Sequence, residues 1–250
     1  ICAKKDCIFG LIQTLFVIIT GLQMVLHGVE LDRKKPILKL VSHYMSDDRF
    51  VNNAYDNIKN WTSGLEKSSG IAFDIGANVG LYSLMLAHLW PDCVVYAFEP
   101  VKSNFDVLVK HIQINKLEQR INAFNFGFWS KDTQMSLWIP KNRDKGNTGL
   151  YSSFHPDGSR VTQGQFHVLD MWCNEKDIWP DFIKVDTEGA EFEILSTSLV
   201  CLSKVKRIIT EYNVKDNDFP NPENLSLFLI NQGFTGDRLP GHDDDIIWIK

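Results

Sequence analysis

The hydrophobic rhythm of the chain changes twice. From Ile8 to Val29 there is no Asp, Glu, Lys or Arg, and the apolar runs Ile8-Phe9-Gly10-Leu11-Ile12, Leu15-Phe16-Val17-Ile18-Ile19 and Met24-Val25-Leu26 nearly merge. As a helix, this stretch would span about 33 Å, enough for a bilayer core. Gln13, Thr20, Gln23 and His27 fall on one helical stripe and give it a polar face. The pattern predicts an apolar helix over residues 1–30, read as a membrane anchor, a helix packed on the protein or an interface, or a signal peptide. Lys4 and Lys5 precede it, while Arg33, Lys34 and Lys35 follow. That charge balance favours a membrane-associated protein with the rest of the chain in the cytoplasm; a soluble cytoplasmic protein or a secretory-pathway lumen is the alternative.

Residues 31–70 are polar and mixed and read as a helical connection, with Ile37-Leu38-Lys39-Leu40-Val41 as one helical patch. From Ile71 onward, short β-branched or aromatic runs alternate with helical stretches. Strands are predicted at Ile71–Ile75, Cys93–Phe98, Ile121–Phe126, Phe182–Val185 and Lys206–Thr210, with Ile246–Ile249 closing the chain as an edge strand. Helices are predicted at Val79–Leu89, Val101–Asn115, about Ala190–Leu199 and near Glu223–Asn231. This alternation implies an α/β fold: a mostly parallel sheet with helices on both faces and ligands at the carboxyl ends of its strands. Residues 71–250 would form that domain.

Composition narrows the reading. The 250 residues are 44% hydrophobic and 23% charged, which excludes a disordered or collagen-like chain. A formal net charge of −5 offers nothing to nucleic acid. The five cysteines lack any Cys-x-x-Cys spacing, so neither a disulfide framework nor a zinc site is expected.

Candidate chemistry gathers at strand ends. The first predicted strand runs into Asp74-Ile75-Gly76-Ala77-Asn78-Val79-Gly80. Gly76 would let the backbone turn sharply and approach a ligand, and Gly80 would start the next helix tight against the strand. Asp74 would repel a phosphate but suit a ligand's cationic amino group. Glu99 ends the second strand, where an acid can accept both hydroxyls of a ribose. A cationic amino-acid portion beside a ribose describes S-adenosylmethionine. Three more carboxylates, Asp186, Glu188 and Glu191, follow the fourth strand, and Glu211 with Asn213 follows the fifth. Glu191 suits a helix-capping role. Asp186, Glu211 and Asn213 could orient a substrate hydroxyl and accept its proton, bond structurally, or hold one divalent cation.

These residues resemble the FkbM family of S-adenosylmethionine-dependent methyltransferases. The resemblance rests on Asp74-Ile75-Gly76-Ala77-Asn78-Val79-Gly80-Leu81-Tyr82-Ser83, Phe98-Glu99-Pro100 and, most diagnostically, Ile183-Lys184-Val185-Asp186-Thr187-Glu188-Gly189-Ala190-Glu191. Asn147-Thr148-Gly149, Ser152-Ser153, Val168-Leu169-Asp170 and Ile209-Thr210-Glu211 support it over about residues 70–215. It implies a class I methyltransferase (Rossmann-like) fold, a seven-strand sheet with one reversed strand, and methyl transfer to a hydroxyl oxygen of a sugar or other small-molecule or glycan acceptor. Thr187 stands where an aliphatic residue is usual, and Phe126-Gly127-Phe128-Trp129-Ser130 is bulkier than the usual small residues.

The cofactor set expected on this reading is Asp74, Gly76, Ala77, Asn78, Gly80, Ser83, Glu99, Pro100, Asn104 and Gly127. The catalytic set is Asp186, Glu188, Glu211 and His155. No metal ligand is assigned, although a divalent cation is compatible with these oxygens. His155 lies in a polar stretch, Lys141–Gly164, inside an insertion at about 127–180 that is expected to cover the acceptor as a loop. The rival readings are a catalytically inactive, membrane-tethered cofactor-binding or scaffold protein, and a nicotinamide-dependent dehydrogenase.

Overall fold

The structure is a computed structural model. It describes residues 13–19, 22–30, 37–41, 48–139, 160–211, 222–238 and 245–250, with side chains described in 55–139, 161–211, 223–238 and 245–250. The apolar N-terminal segment is not helical in its described parts. Strand β1 (Gln13–Ile19) pairs antiparallel with β2 (Leu22–Glu30), which pairs antiparallel with β3 (Ile37–Val41). Among the described residues, Gln13–Ile19 and Leu22–Glu30 of the predicted 1–30 helix and the helical patch at Ile37–Val41 are therefore corrected to strands. The physical reason is composition: Val17, Ile18, Ile19, Phe16 and Val25 are β-branched or aromatic residues that fit a pleated surface better than a helix. Among the described residues, no helix is long and apolar enough to cross a membrane.

Helix α1 (Asp48–Trp61) leads into the main sheet. Strand β4 (Gly70–Ile75), helix α2 (Leu81–Leu89), strand β5 (Cys93–Phe98), helix α3 (Lys102–Ile114) and strand β6 (Ile121–Phe124) follow the predicted alternation. The predicted third strand thus stops two residues early. Strands β7 (Gly127–Phe128), β8 (Thr133–Ile139) and β9 (Arg160–His167) form a separate small sheet in the order β7-β9-β8. Helix α4 (Leu169–Lys176), strand β10 (Phe182–Val185), helices α5 (Glu191–Ser196) and α6 (Leu199–Lys204), strand β11 (Arg207–Glu211), helix α7 (Pro222–Asn231) and strands β12 (Thr235–Arg238) and β13 (Asp245–Ile249) complete the chain.

The seven-stranded sheet has the order β12-β13-β11-β10-β4-β5-β6. Strand β13 runs antiparallel to both neighbours and is the one reversed strand. It is flanked on both sides, so the predicted edge position for Ile246–Ile249 is wrong. The true edge, β12, reads Thr-Gly-Asp-Arg and is exposed throughout, which hides it from any hydrophobic pattern. Gly236 lets the Trp248 ring lie against it across the pair.

Residues alternate between two cores, one on each face of the sheet. Ala72, Val95, Ala97 and Phe182 join Ile58, Trp61, Leu84 and Leu108 on one face. Phe73, Ile75, Phe98, Ile183 and Val185 join Trp172, Ile194, Leu202 and Leu229 on the other. The predicted helix at about Ala190–Leu199 divides into α5 and α6. The Thr197 and Ser198 hydroxyls donate to the carbonyls of Glu193 and Ile194 and compete with the backbone bonds that would continue it. Asp170 on α4 then accepts the Val200 and Cys201 N–H groups, both at 2.8 Å, and caps α6. The predicted polar stretch ending at Gly164 overlaps β9, whose inward positions include Gly164 and Phe166 beside Leu137 and Pro100.

The order of strand addition reverses between the parallel neighbours β4 and β10, because β5 and β6 extend the sheet one way and β10 and β11 the other. This is the switch point where open α/β sheets hold ligands. Two backbone turns meet there. Gly76 has φ +82°, and a β-carbon on it would run into the carbonyl oxygen of Asp186. Gly64 also has positive φ but open space around it. Gly64→Ala should therefore cost only the left-handed penalty, about 1 kcal/mol. Gly76→Ala should cost about 3 kcal/mol or more. Thermal melts of the two variants check this; equal losses would show that the contact between the turns carries no weight.

Candidate active site

The glycine turn is held from three sides. The Gly76 and Ala77 N–H groups both donate to the Phe98 carbonyl at 3.0 Å, tying the turn to the end of β5. Glu99 Oε2 accepts the Asn78 N–H at 2.8 Å, and its Oε1 accepts the Val101 N–H at 2.8 Å. From α3, the buried His111 ring meets the Val79 carbonyl through Nδ1 at 2.6 Å, which fixes Nδ1–H as the donor. Asn78 takes the left-handed conformation at φ 50°, which its short amide tolerates.

The cofactor set divides on this geometry. Glu99 is 4% exposed, yet each carboxylate oxygen keeps a lone pair beyond its backbone bond. Burial pushes its carboxyl up to about 7, against the Val101 and Asn78 N–H groups that pull it down. Asn104 bonds to the same carboxylate. Gly76 is partly exposed and makes a close approach to the backbone of Asp186. Four expectations need correction. Gly80 packs against Leu108 of α3, not against the strand. Ser83 is fully buried and donates to Asp74 Oδ2 at 2.5 Å. Gly127 is enclosed by Phe166 and Pro100. Asp74 is fully buried and faces Lys184, whose Nζ lies 3.9 Å from its Oδ1. It therefore supports the turn from below rather than meeting a ligand's ammonium at the surface. Burial raises its pKa, although Lys184 and Ser83 oppose the shift. Pro100 packs between Gly127 and Gly164.

The acid-bearing turn after β10 is shaped by Glu191. Its Oε1 accepts the Thr187 N–H at 2.8 Å, the Thr187 hydroxyl at 2.9 Å and the Gly189 N–H at 3.4 Å. Glu191 thus holds the turn that precedes α5 instead of capping the helix as expected, and it gives Thr187, unusual at its position, a specific use. The clasp holds Glu188 at φ 54°, a left-handed conformation rare for a glutamate. Asp186, Glu188 and Glu211 then converge, each offering a carboxylate oxygen within 4.8 Å of the others, and all three are half-buried. Strand register explains it, since Val185 pairs with Thr210 and places the two strand ends side by side. We assign no ion to the cluster. Burial first, and then Asp186 and Glu191, push Glu188 up to about 7. Burial, then Asp186 and Glu188, push Glu211 well up, to about 9. His155 and Asn213 lie outside the described residues.

Two functional residues escaped sequence reasoning. Lys184 carries the cation between Asp74 and Asp186; its signal was a lone lysine in the otherwise apolar strand Phe182–Val185. Asn125 donates to the Glu99 and Pro100 carbonyls at 2.9 and 3.3 Å and holds the end of β5. The bulk at Phe126 and Phe128 serves an aromatic cluster with Phe98, Phe124 and Trp172. The Phe98 and Phe128 centroids are 4.7 Å apart.

Residues 74–235 match the methyltransferase FkbM domain. Methyltransferase sdnD of Sordaria araneosa is 25% identical over 200 residues, covering 67% of this chain and 73% of that protein. Methyltransferase 1 of Beauveria bassiana is 20% identical over 178 residues, covering 64% and 68%. A solved Staphylococcus aureus structure assigned as a caffeoyl-CoA O-methyltransferase superposes with a TM-score of 0.51 at 15% identity, covering 82% of this chain and 85% of that one. That likeness shows the fold, and the seven-strand sheet with one reversed strand is that of class I methyltransferases.

The raised acids make stability depend on pH. A carboxyl whose folded pKa lies above its unfolded value keeps its proton in the folded state, so stability falls as pH rises from about 4.5 through the folded value. Glu211→Gln should melt higher relative to wild type at pH 8 than at pH 4.5. An identical difference at both pH values would show that Glu211 is not held protonated by the fold.

Proposed function

This chain belongs to the FkbM methyltransferase domain family, and we propose that it binds S-adenosylmethionine and methylates a hydroxyl oxygen of a sugar or another small-molecule or glycan acceptor. The observation that carries the reading is the opposition, across one switch point, of Glu99 beside the glycine turn and the Asp186–Glu188–Glu211 carboxylates. The residues fit the cofactor. Glu99 follows the end of β5, is 4% exposed, and keeps one acceptor position beyond its Asn78, Val101 and Asn104 bonds for a ribose hydroxyl.

When bound, S-adenosylmethionine supplies an electrophilic methyl group on its sulfonium. Glu99 and the glycine turn would hold its nucleoside end. The carboxylates across the switch point would accept a hydrogen bond from the acceptor hydroxyl and aim its oxygen at the methyl carbon. One of these carboxylates would take the hydroxyl proton as the oxygen is methylated. Glu188, pushed up to about 7, is well matched to that transfer near neutrality. Because the sulfonium is already activated, holding donor and acceptor in line at short range is the main contribution.

Calorimetric titration with S-adenosylhomocysteine tests the cofactor assignment. Wild type should bind, and Glu99→Ala should bind about tenfold to a hundredfold more weakly, as expected on losing charge-assisted hydrogen bonds. Absence of binding by the wild type refutes the assignment. Mass spectrometry of a cell extract supplied with labelled S-adenosylmethionine should then show a labelled methyl ether; label on nitrogen or carbon would overturn the choice of oxygen.

A further inference from the structure

One buried cation lies beneath both turns of the site. Lys184, next to last in β10, is 3% exposed. Its Nζ lies 2.8 Å from Asp186 Oδ2 and 3.9 Å from Asp74 Oδ1. The ammonium also stands over the Tyr82 ring, 4.3 Å from its centroid. That ring is stacked on Trp61 at the end of α1, with centroids 5.7 Å apart and planes 16° from parallel. The ammonium is thus bounded by groups from β4, α2 and the turn after β10.

Methyl transfer as described above makes no use of this lysine. Burying an ammonium in the middle of a sheet is costly unless it is paired. Burial acts against the charged form, but Asp186 and then Asp74 outweigh it, and the net shift of Lys184 is upward. It therefore stays charged. Its carboxylate partners are Asp74, in β4 beneath the glycine turn, and Asp186, in the acid-bearing turn, and these two turns already touch through Gly76 and the Asp186 carbonyl. Register explains the placement, because Lys184 pairs directly with Asp74 across parallel β10 and β4.

We propose that Lys184 is a positioning residue for the donor site: its ammonium ties Asp74 under the glycine turn to Asp186 in the acid-bearing turn and sets the spacing between them. This rests on the methyltransferase reading, since it takes the glycine turn to be the donor pocket. The titratable groups facing the ammonium are Asp74 from β4, Tyr82 from α2, and Asp186 and Glu188 from the turn after β10. Beyond these, Glu211 and Asp245 act on Asp186 and Tyr82 from β11 and β13.

The test is Lys184→Met, which keeps most of the stem's bulk and removes the charge. Asp186 is partly exposed and can turn to water, but Asp74 is left in the core with Ser83 as its hydrogen-bond donor. A buried acid deprived of its cation holds its proton, while the unfolded chain releases it near pH 4. The variant should therefore lose stability, relative to wild type, as pH rises. Its melting point should lie roughly 5–15 °C below wild type at pH 8 and much closer at pH 5. At pH 8 it should bind S-adenosylhomocysteine at least about tenfold more weakly, a drop of about 1.4 kcal/mol. Lys184→Arg should recover most of both losses. Adding Asp74→Asn to Lys184→Met should make the melting deficit equal at the two pH values.

A Lys184→Met protein with a pH-independent deficit and wild-type affinity for S-adenosylhomocysteine overturns the proposal alone. If Lys184→Met does not fold, the double variant decides: a folded double variant supports the charge tie, and an unfolded one overturns it. Failure of the wild type to bind S-adenosylhomocysteine overturns the methyltransferase reading, and the donor-site role of Lys184 with it.

Discussion

The switch point of the sheet is a place where two chain turns must touch. Gly76, at the end of β4, lies against the backbone carbonyl of Asp186, at the end of β10, and Lys184 sits beneath both with Asp74 and Asp186 as its partners. Backbone contact at that range tolerates no side chain on Gly76. It also brings the partly exposed Asp186 near the fully buried Asp74, a pairing that the Lys184 cation offsets. Much of the surrounding construction serves these two demands. His111, Glu99 and the Phe98 carbonyl hold the glycine turn, and Glu191 holds the other.

From that junction the carboxylates acquire different characters without differing much in chemistry. Asp74 has no exposure, and its charge is turned inward toward Lys184 and Ser83. Glu191 spends one oxygen on the turn that bears the others. Asp186 has the lysine. Glu188 and Glu211 face mainly other acids and a low-dielectric surrounding, and their carboxyls rise accordingly. Environment thus separates groups that position from groups able to exchange a proton near neutral pH.

Much of the central architecture was legible along the chain. Strands β4, β5 and β10 and helices α2 and α3 appear where β-branched or apolar runs alternate with helical spacing, because both faces of a parallel strand are buried and its sequence is nearly continuous in hydrophobic residues. The missed elements are those whose burial does not come from aliphatic side chains. Strand β12 is exposed throughout, and β9 turns Gly164 and Phe166 inward between glutamines. The N-terminal segment was misread for the opposite reason. A run apolar at nearly every position has no period, so length suggested a helix where β-branched and aromatic content favours paired strands.

At the site, the residue types alone determined that a glycine turn, an acid one strand away and a second acidic turn belong together. Their order and spacing place them at successive strand ends, and Asp186, Glu188 and Glu211 do converge. Which acid faces a ligand and which faces the core was decided only by the tertiary structure. Asp74 reads in the sequence like a ligand-binding acid; the neighbouring strand turns it into an internal partner by setting Lys184 opposite it in register. The close approach of Gly76 likewise depends on a backbone more than a hundred residues away along the chain. Local sequence specifies conformation and hydrophobic face, but a buried charge takes its role from the groups that folding brings within a few ångströms, where Coulomb interaction and desolvation are both large.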